Sequence, residues 1–206
     1  GKTLSCTAYI ALLSQGRTLH ARRARAATPA AALVPTARAP SALVIVPDQV
    51  IPQWRGECDR VGISHRLYSD QEFKNNEQVP TDADVLLIGF SVAKRLERFT
   101  TSNRRDGTNH KNIQLHSWPV IVVDECEEMG KTEETSLKVT VRDLANRNAR
   151  ATVIGMTGTP NKFEDETKWA RVKEGLGGRA KANLFSQDKD QEFRTMRNDL
   201  SEDAKQ

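Results

Sequence analysis

Four short apolar runs, separated by stretches of helical periodicity, constrain this chain more than any other feature. Ala42-Leu43-Val44-Ile45-Val46 ends at Pro47, and Asp84-Val85-Leu86-Leu87-Ile88, Val120-Ile121-Val122-Val123 and Ala151-Thr152-Val153-Ile154 follow. Continuous apolar runs of this length, without polar alternation, predict strands covered on both faces. Between them the period changes. Leu4, Ala8, Ala11 and Leu12 share one helical face within Thr3–Leu13, and Val50, Trp54, Cys58 and Val61 recur every three or four residues. Pro52 fits that second helix only in its first turn. Ser91–Phe99 and Glu133–Asn146 also predict helices, His65–Tyr68 a short strand, and polar Thr100–Ser117 a loop. Such alternation implies parallel strands joined by right-handed helical crossovers, so the expected fold class is α/β with a doubly wound parallel sheet. Ligands of such sheets sit at the carboxyl ends of the strands.

A length of 206 residues suits one such domain. No apolar run approaches a membrane span and no signal-peptide pattern opens the chain, so no membrane partner is expected. The chain opens at Gly1-Lys2-Thr3 without methionine, and its natural start is expected to lie upstream. Cys6, Cys58 and Cys126 form no CxxC and pair with no histidine at metal-ligand spacing. They predict reduced thiols in an intracellular protein and no zinc.

The net charge of +4 is uneven: residues 1–47 carry six Lys/Arg and no acid. Arg17, Arg22, Arg23, Arg25 and Arg38 lie in a stretch rich in Ala and Pro, and Pro29, Pro35 and Pro40 forbid one long helix there. Residues 14–41 therefore predict an insertion between core elements, either a solvated flexible loop or an arm that touches nucleic-acid phosphates. Beyond Pro160 the pattern weakens, and Asn161–Gln206 holds ten basic and ten acidic residues. The expected organisation is a lobe over 1–165 and a charged, partly helical tail over 166–206 that packs partly on it.

Three groups of residues carry chemistry. Gly1-Lys2-Thr3 before a helix has the form of the end of G-x-x-x-x-G-K-[ST], where backbone N–H groups and the helix start hold phosphate oxygens. Lys2 would reach the β- and γ-phosphates and the Thr3 hydroxyl would bind Mg²⁺; the alternative is an ordinary helix start. The third strand delivers Asp124-Glu125 at its tip. Asp124 would hold Mg²⁺ and Glu125 would orient and deprotonate the attacking water; the alternative is a polar turn in an acidic run that continues through Glu127 and Glu128. The fourth strand runs into Met156-Thr157-Gly158-Thr159-Pro160, which could reach towards the γ-phosphate or be a simple turn. The three groups come in the order an ATPase lobe requires, each at a strand end or helix start, and this joint agreement favours the nucleotide site.

On these residues the chain resembles the first RecA-like lobe of superfamily-two helicases, a P-loop NTPase lobe, and within them the Swi/Snf-type ATPases of chromatin remodelling and DNA repair. Ala42–Pro47 followed by Gln53-Trp54 is similar to that group's strand-then-"QW" element. Trp118 before Val120–Glu125 looks like the approach to its DExx box, and Thr157-Gly158-Thr159-Pro160 matches its third motif. The resemblance implies ATP and Mg²⁺ at Gly1, Lys2, Thr3, Asp124 and Glu125, with Lys2, Asp124 and Glu125 catalytic. It implies that Thr157, Gly158 and Thr159 couple hydrolysis to lobe movement, and that Pro47 and Gln53 approach nucleic acid, Trp54 reading better as core. It further implies partners (double-stranded DNA, nucleosomes and a second RecA-like lobe supplying arginine fingers) and a nuclear location. The sequence departs from the family at Cys126-Glu127, in place of the usual DEAH ending, and at Asn161-Lys162-Phe163. Residues 1–206 alone are expected to bind nucleotide weakly and not to turn it over. Competing readings are a strand-separating helicase of DNA or RNA, a restriction-type translocase, and a retired ATPase lobe serving as a scaffold.

Overall fold

The computed structural model describes residues 3–12, 40–80, 82–100, 110–158 and 166–177. Helix α1 spans 3–12. Strand β1 (Ala42–Val46) leads through a 3₁₀ turn into α2 (Ile51–Val61), then β2 (His65–Leu67), α3 (Asp70–Asn75), β3 (Val85–Gly89) and α4 (Phe90–Leu96). Short α5 (Asn112–Leu115), β4 (Val120–Val123), α6 (Ser136–Arg147), β5 (Thr152–Gly155) and α7 (Glu166–Gly175) complete the order. All strand pairings are parallel and the sheet order is β2-β3-β1-β4-β5.

The apolar runs form the centre of this sheet because each strand feeds two cores in alternation. Leu43, Ile45, Leu86, Ile88, Ile121 and Val123 face one core, shared with α3, α4, α6 and α7. Ala42, Val44, Val46, Val85, Leu87, Val120 and Val122 face the other, shared with α1 and α2. This is the doubly wound α/β arrangement expected from the sequence. Helix α2 starts with Pro52 in its first turn and stops at left-handed Gly62, and buries Trp54 and Cys58. Helix α3 opens on a capping box: Ser69 Oγ accepts from Glu72 N–H, and Glu72 Oε2 accepts from Ser69 N–H.

Three expectations need correction. The fourth run is only partly covered: among the described residues β5 pairs with β4 alone, its Thr152 exposed and its other residues half-buried. Hydrophobicity alone does not separate a half-covered strand from a fully covered one. The stretch expected to be all loop contains α5, whose Ile113 is fully buried and whose carbonyl accepts from the Trp118 indole at 2.9 Å. The helix expected from Glu133 begins at Ser136, where Thr135 Oγ1 accepts from Lys138 N–H and provides the cap.

Part of the expected tail belongs to the core. Val172 and Leu176 are buried with the residues of β4 and α6. Helix α7 runs so close to Gly130 that a Cβ there would lie 2.8 Å from the Lys168 carbonyl oxygen. Most of the expected insertion 14–41 lies outside the described residues, as do 101–109 and 178–206.

Candidate active site

The parallel register aligns the carboxyl ends of β1, β4 and β5: Ile45 pairs with Val123, and Val123 with Gly155. Asp124 extends this edge, its N–H donating to the Ile45 carbonyl at 2.9 Å. Met156 N–H donates to Val123 O and Cys126 N–H to Met156 O, both at 2.8 Å, so the turns after β4 and β5 are tied together. Between these bonds Glu125 adopts a left-handed conformation, φ 46° and ψ 48°, rare for a residue with a side chain. Strain of this kind is costly and concentrates at functional positions.

Both Asp124 carboxylate oxygens are held. Oδ2 accepts from the Trp54 indole Nε1 at 2.8 Å, and Oδ1 accepts from Glu125 N–H at 3.0 Å. Glu125 extends towards β5, where its Oε2 accepts from Gly158 N–H at 3.3 Å. A Cβ at Gly158 would stand 3.0 Å from Glu125 Oε1. Glu127 is buried. The hydrogen bond shared with Glu127, then burial, then the charge of Glu127 push the Glu125 carboxyl up to about 7, against the opposing Gly158 N–H. Helix α1 packs behind this edge, its Cys6 and Ile10 sharing a core with Val46, Trp54, Val122 and Met156; burial first, and then the Asp124 charge, raise the Cys6 thiol to about 12. Cys58 and Cys126 are likewise raised to about 12, chiefly by burial, so all three thiols stay protonated.

The structure therefore brings together Asp124, Glu125 and Gly158, with Thr157 buried beside them and α1, described from Thr3 onwards, packed in the second core. Gly1, Lys2 and Thr159 lie outside the described residues. Pro47 and Gln53 sit beyond the end of β1 on the same edge, but Pro47 is buried and only Gln53 offers exposed surface. Sequence reasoning missed three contacts. Trp54 read as core, and it is core, yet it also bonds the Asp124 carboxylate. Glu127 read as a continuation of the acidic run after Glu125, yet it is buried and shares a hydrogen bond with Glu125. Asp48 drew no attention, yet its carboxylate accepts from Ser91 Oγ at 2.6 Å and Ser91 N–H at 3.1 Å, linking the end of β1 to the start of α4.

The donor set fits a magnesium nucleotide. Among the described residues no group of three or more His, Cys, Asp or Glu side chains could hold a metal by itself. Magnesium is commonly held in this way, by one or two carboxylates completed by substrate phosphates and water, not by a protein cage. The donors on Asp124 are both N–H groups, so each oxygen keeps a lone pair for a cation or its water.

Gly158→Ala is expected to press its new methyl on the Glu125 carboxylate and lower any hydrolysis by up to about 10²-fold, with nucleotide affinity unchanged. Paired titration and turnover assays check this, and equal turnover would mean that the Glu125–Gly158 contact does not matter.

A family model for the SNF2-related domain matches residues 1–170. No curated protein matches the chain. Among solved structures, the Sulfolobus solfataricus SWI2/SNF2 ATPase core in complex with dsDNA is similar at 19% identity and TM-score 0.47. That match covers 68% of this chain and 25% of that one, so the chain spans about a quarter of the length of the relative. The residues matched by the family model hold the whole described sheet and the Asp124–Glu125 edge, and the chain belongs to the SNF2-related domain family.

Proposed function

We propose that this lobe binds Mg²⁺-ATP at the carboxyl edge of β4 and β5 and hydrolyses it to drive movement along duplex DNA, in chromatin remodelling or repair within the nucleus. The observation that carries this reading is the convergence of Asp124, Glu125 and Gly158 on one edge, with α1 packed in the core behind it. By family resemblance Gly1, Lys2 and Thr3 hold the phosphates, Lys2 reaching the β- and γ-groups. Thr3 and Asp124 hold the magnesium, which when bound offsets charge on the β- and γ-phosphate oxygens. Glu125 orients the attacking water and takes its proton. The Gly158 N–H fixes the Glu125 carboxylate from the β5 side, and Thr157 and Thr159, flanking it, transmit the change to a second RecA-like lobe. Gln53, exposed at the start of α2, faces the nucleic-acid backbone, and nucleosomal DNA is one such duplex.

Backbone contacts carry no sequence information, so stimulation should depend on duplex form and not on base sequence. ATP turnover by the full-length protein, compared with duplex DNA, single-stranded DNA and RNA at fixed salt, tests this. Duplex DNA is expected to stimulate most, with displacement of a triplex strand and no unwinding of a forked duplex. Strong stimulation by RNA or robust fork unwinding would move the protein to the strand-separating helicases.

A further inference from the structure

Trp54 is fully buried on α2, in the core shared with Cys6, Ile10 and Cys58. Its one polar atom is the indole Nε1, a donor that needs an acceptor when buried. A backbone carbonyl would satisfy it, as Ile113 O satisfies Trp118. Trp54 instead donates at 2.8 Å to a carboxylate 70 residues away, Oδ2 of Asp124. The other oxygen accepts from Glu125 N–H at 3.0 Å. The carboxylate plane is thus fixed from two directions. Neither donor is cationic, so neither neutralises the carboxylate, and neither can itself ligate a metal or lose its proton in the physiological range.

We propose that Trp54 is a positioning residue for the metal ligand Asp124, its indole N–H holding the carboxylate in the orientation that receives the magnesium of Mg²⁺-ATP. This rests on the reading of Asp124 as the metal ligand. Carboxylate ligands are commonly oriented by such outer hydrogen bonds, whose loss typically weakens metal affinity by about 10–100-fold. A purely structural role predicts something else: removing the N–H would alter folding stability and leave the metal dependence of binding alone.

The test is nucleotide affinity in the full-length protein, read with a fluorescent, non-hydrolysable ATP analogue in excess Mg²⁺ and again in EDTA. Trp54→Phe removes the donor and shrinks the ring. Benzothienylalanine installed at position 54 keeps the bicyclic shape, replaces N–H by sulfur, and serves if Trp54→Phe does not fold. The expected result is a loss of about 10–100-fold in Mg²⁺ with affinity in EDTA unchanged. Native affinity in Mg²⁺ for the shape-preserving analogue would overturn the proposal, as would equal losses in Mg²⁺ and EDTA. If the native protein binds the analogue with no dependence on Mg²⁺, the reading of Asp124 itself fails, and the positioning role with it.

Discussion

Glu125→Gln is expected to lower ATP hydrolysis by about 10²–10⁴-fold, the usual contribution of a positioned general base, while Mg²⁺-ATP affinity changes little. The amide keeps the size of the side chain and can still meet Gly158 N–H through its oxygen. It cannot take a proton from water. The Asp124 contacts to Trp54 and to the Glu125 main chain do not involve the substituted atoms, so the metal side of the site should survive. An affinity titration beside a single-turnover hydrolysis assay separates binding from chemistry. Hydrolysis at the native rate would remove Glu125 from the base role.

Trp118→Ala should cost about 3–5 kcal/mol of folding stability, the range for emptying a large aromatic site. Against the roughly 5–15 kcal/mol that holds a typical domain together, that loss leaves little margin. Trp118 is 1% exposed and lies at the entrance to β4. Its N–H donates to Asn148 Oδ1 at 2.7 Å, its indole to Ile113 O at 2.9 Å, and the His116 ring packs on it at 4.3 Å. Removal would open a cavity and also leave the Ile113 carbonyl without its donor, loosening α5 and the strand that delivers Asp124. Urea denaturation monitored by far-UV circular dichroism gives the change. A loss below about 1 kcal/mol would show that the site collapses and that the α5 junction is not a support for β4.

How legible this was in the sequence depends on what each residue had to reveal. The central strands were legible because burial on both faces demands unbroken apolar runs, and Leu43–Val46, Val85–Ile88 and Val120–Val123 supply them. The partial exposure of β5 was not, because Val153 and Ile154 read as apolar whether half-buried or fully buried. Helix α5 was hidden by its four-residue length, too short for a period to emerge. At the site, the placement of Asp124 and Glu125 at the tip of β4 was legible from the apolar run that ends there, and their proposed roles came only from the joint order of the three groups. Their partners were not legible. The contact of Trp54 with Asp124 depends on how α2 lies across β1 and β4, and the burial of Glu127 depends on the 3₁₀ turn at Cys126–Gly130. Both are consequences of packing between segments far apart in sequence or of a turn with no periodic signature.

We have placed a magnesium nucleotide at the carboxyl edge of β4 and β5. The most direct test of this placement is a crystal structure of the full-length protein with a non-hydrolysable ATP analogue and Mn²⁺ in place of Mg²⁺, located by anomalous scattering. One metal peak bound to Asp124, directly or through water, is expected, with the γ-phosphate of the analogue beside Glu125 and Gly158. An analogue bound away from this edge, or bound here with no metal at Asp124, would contradict it.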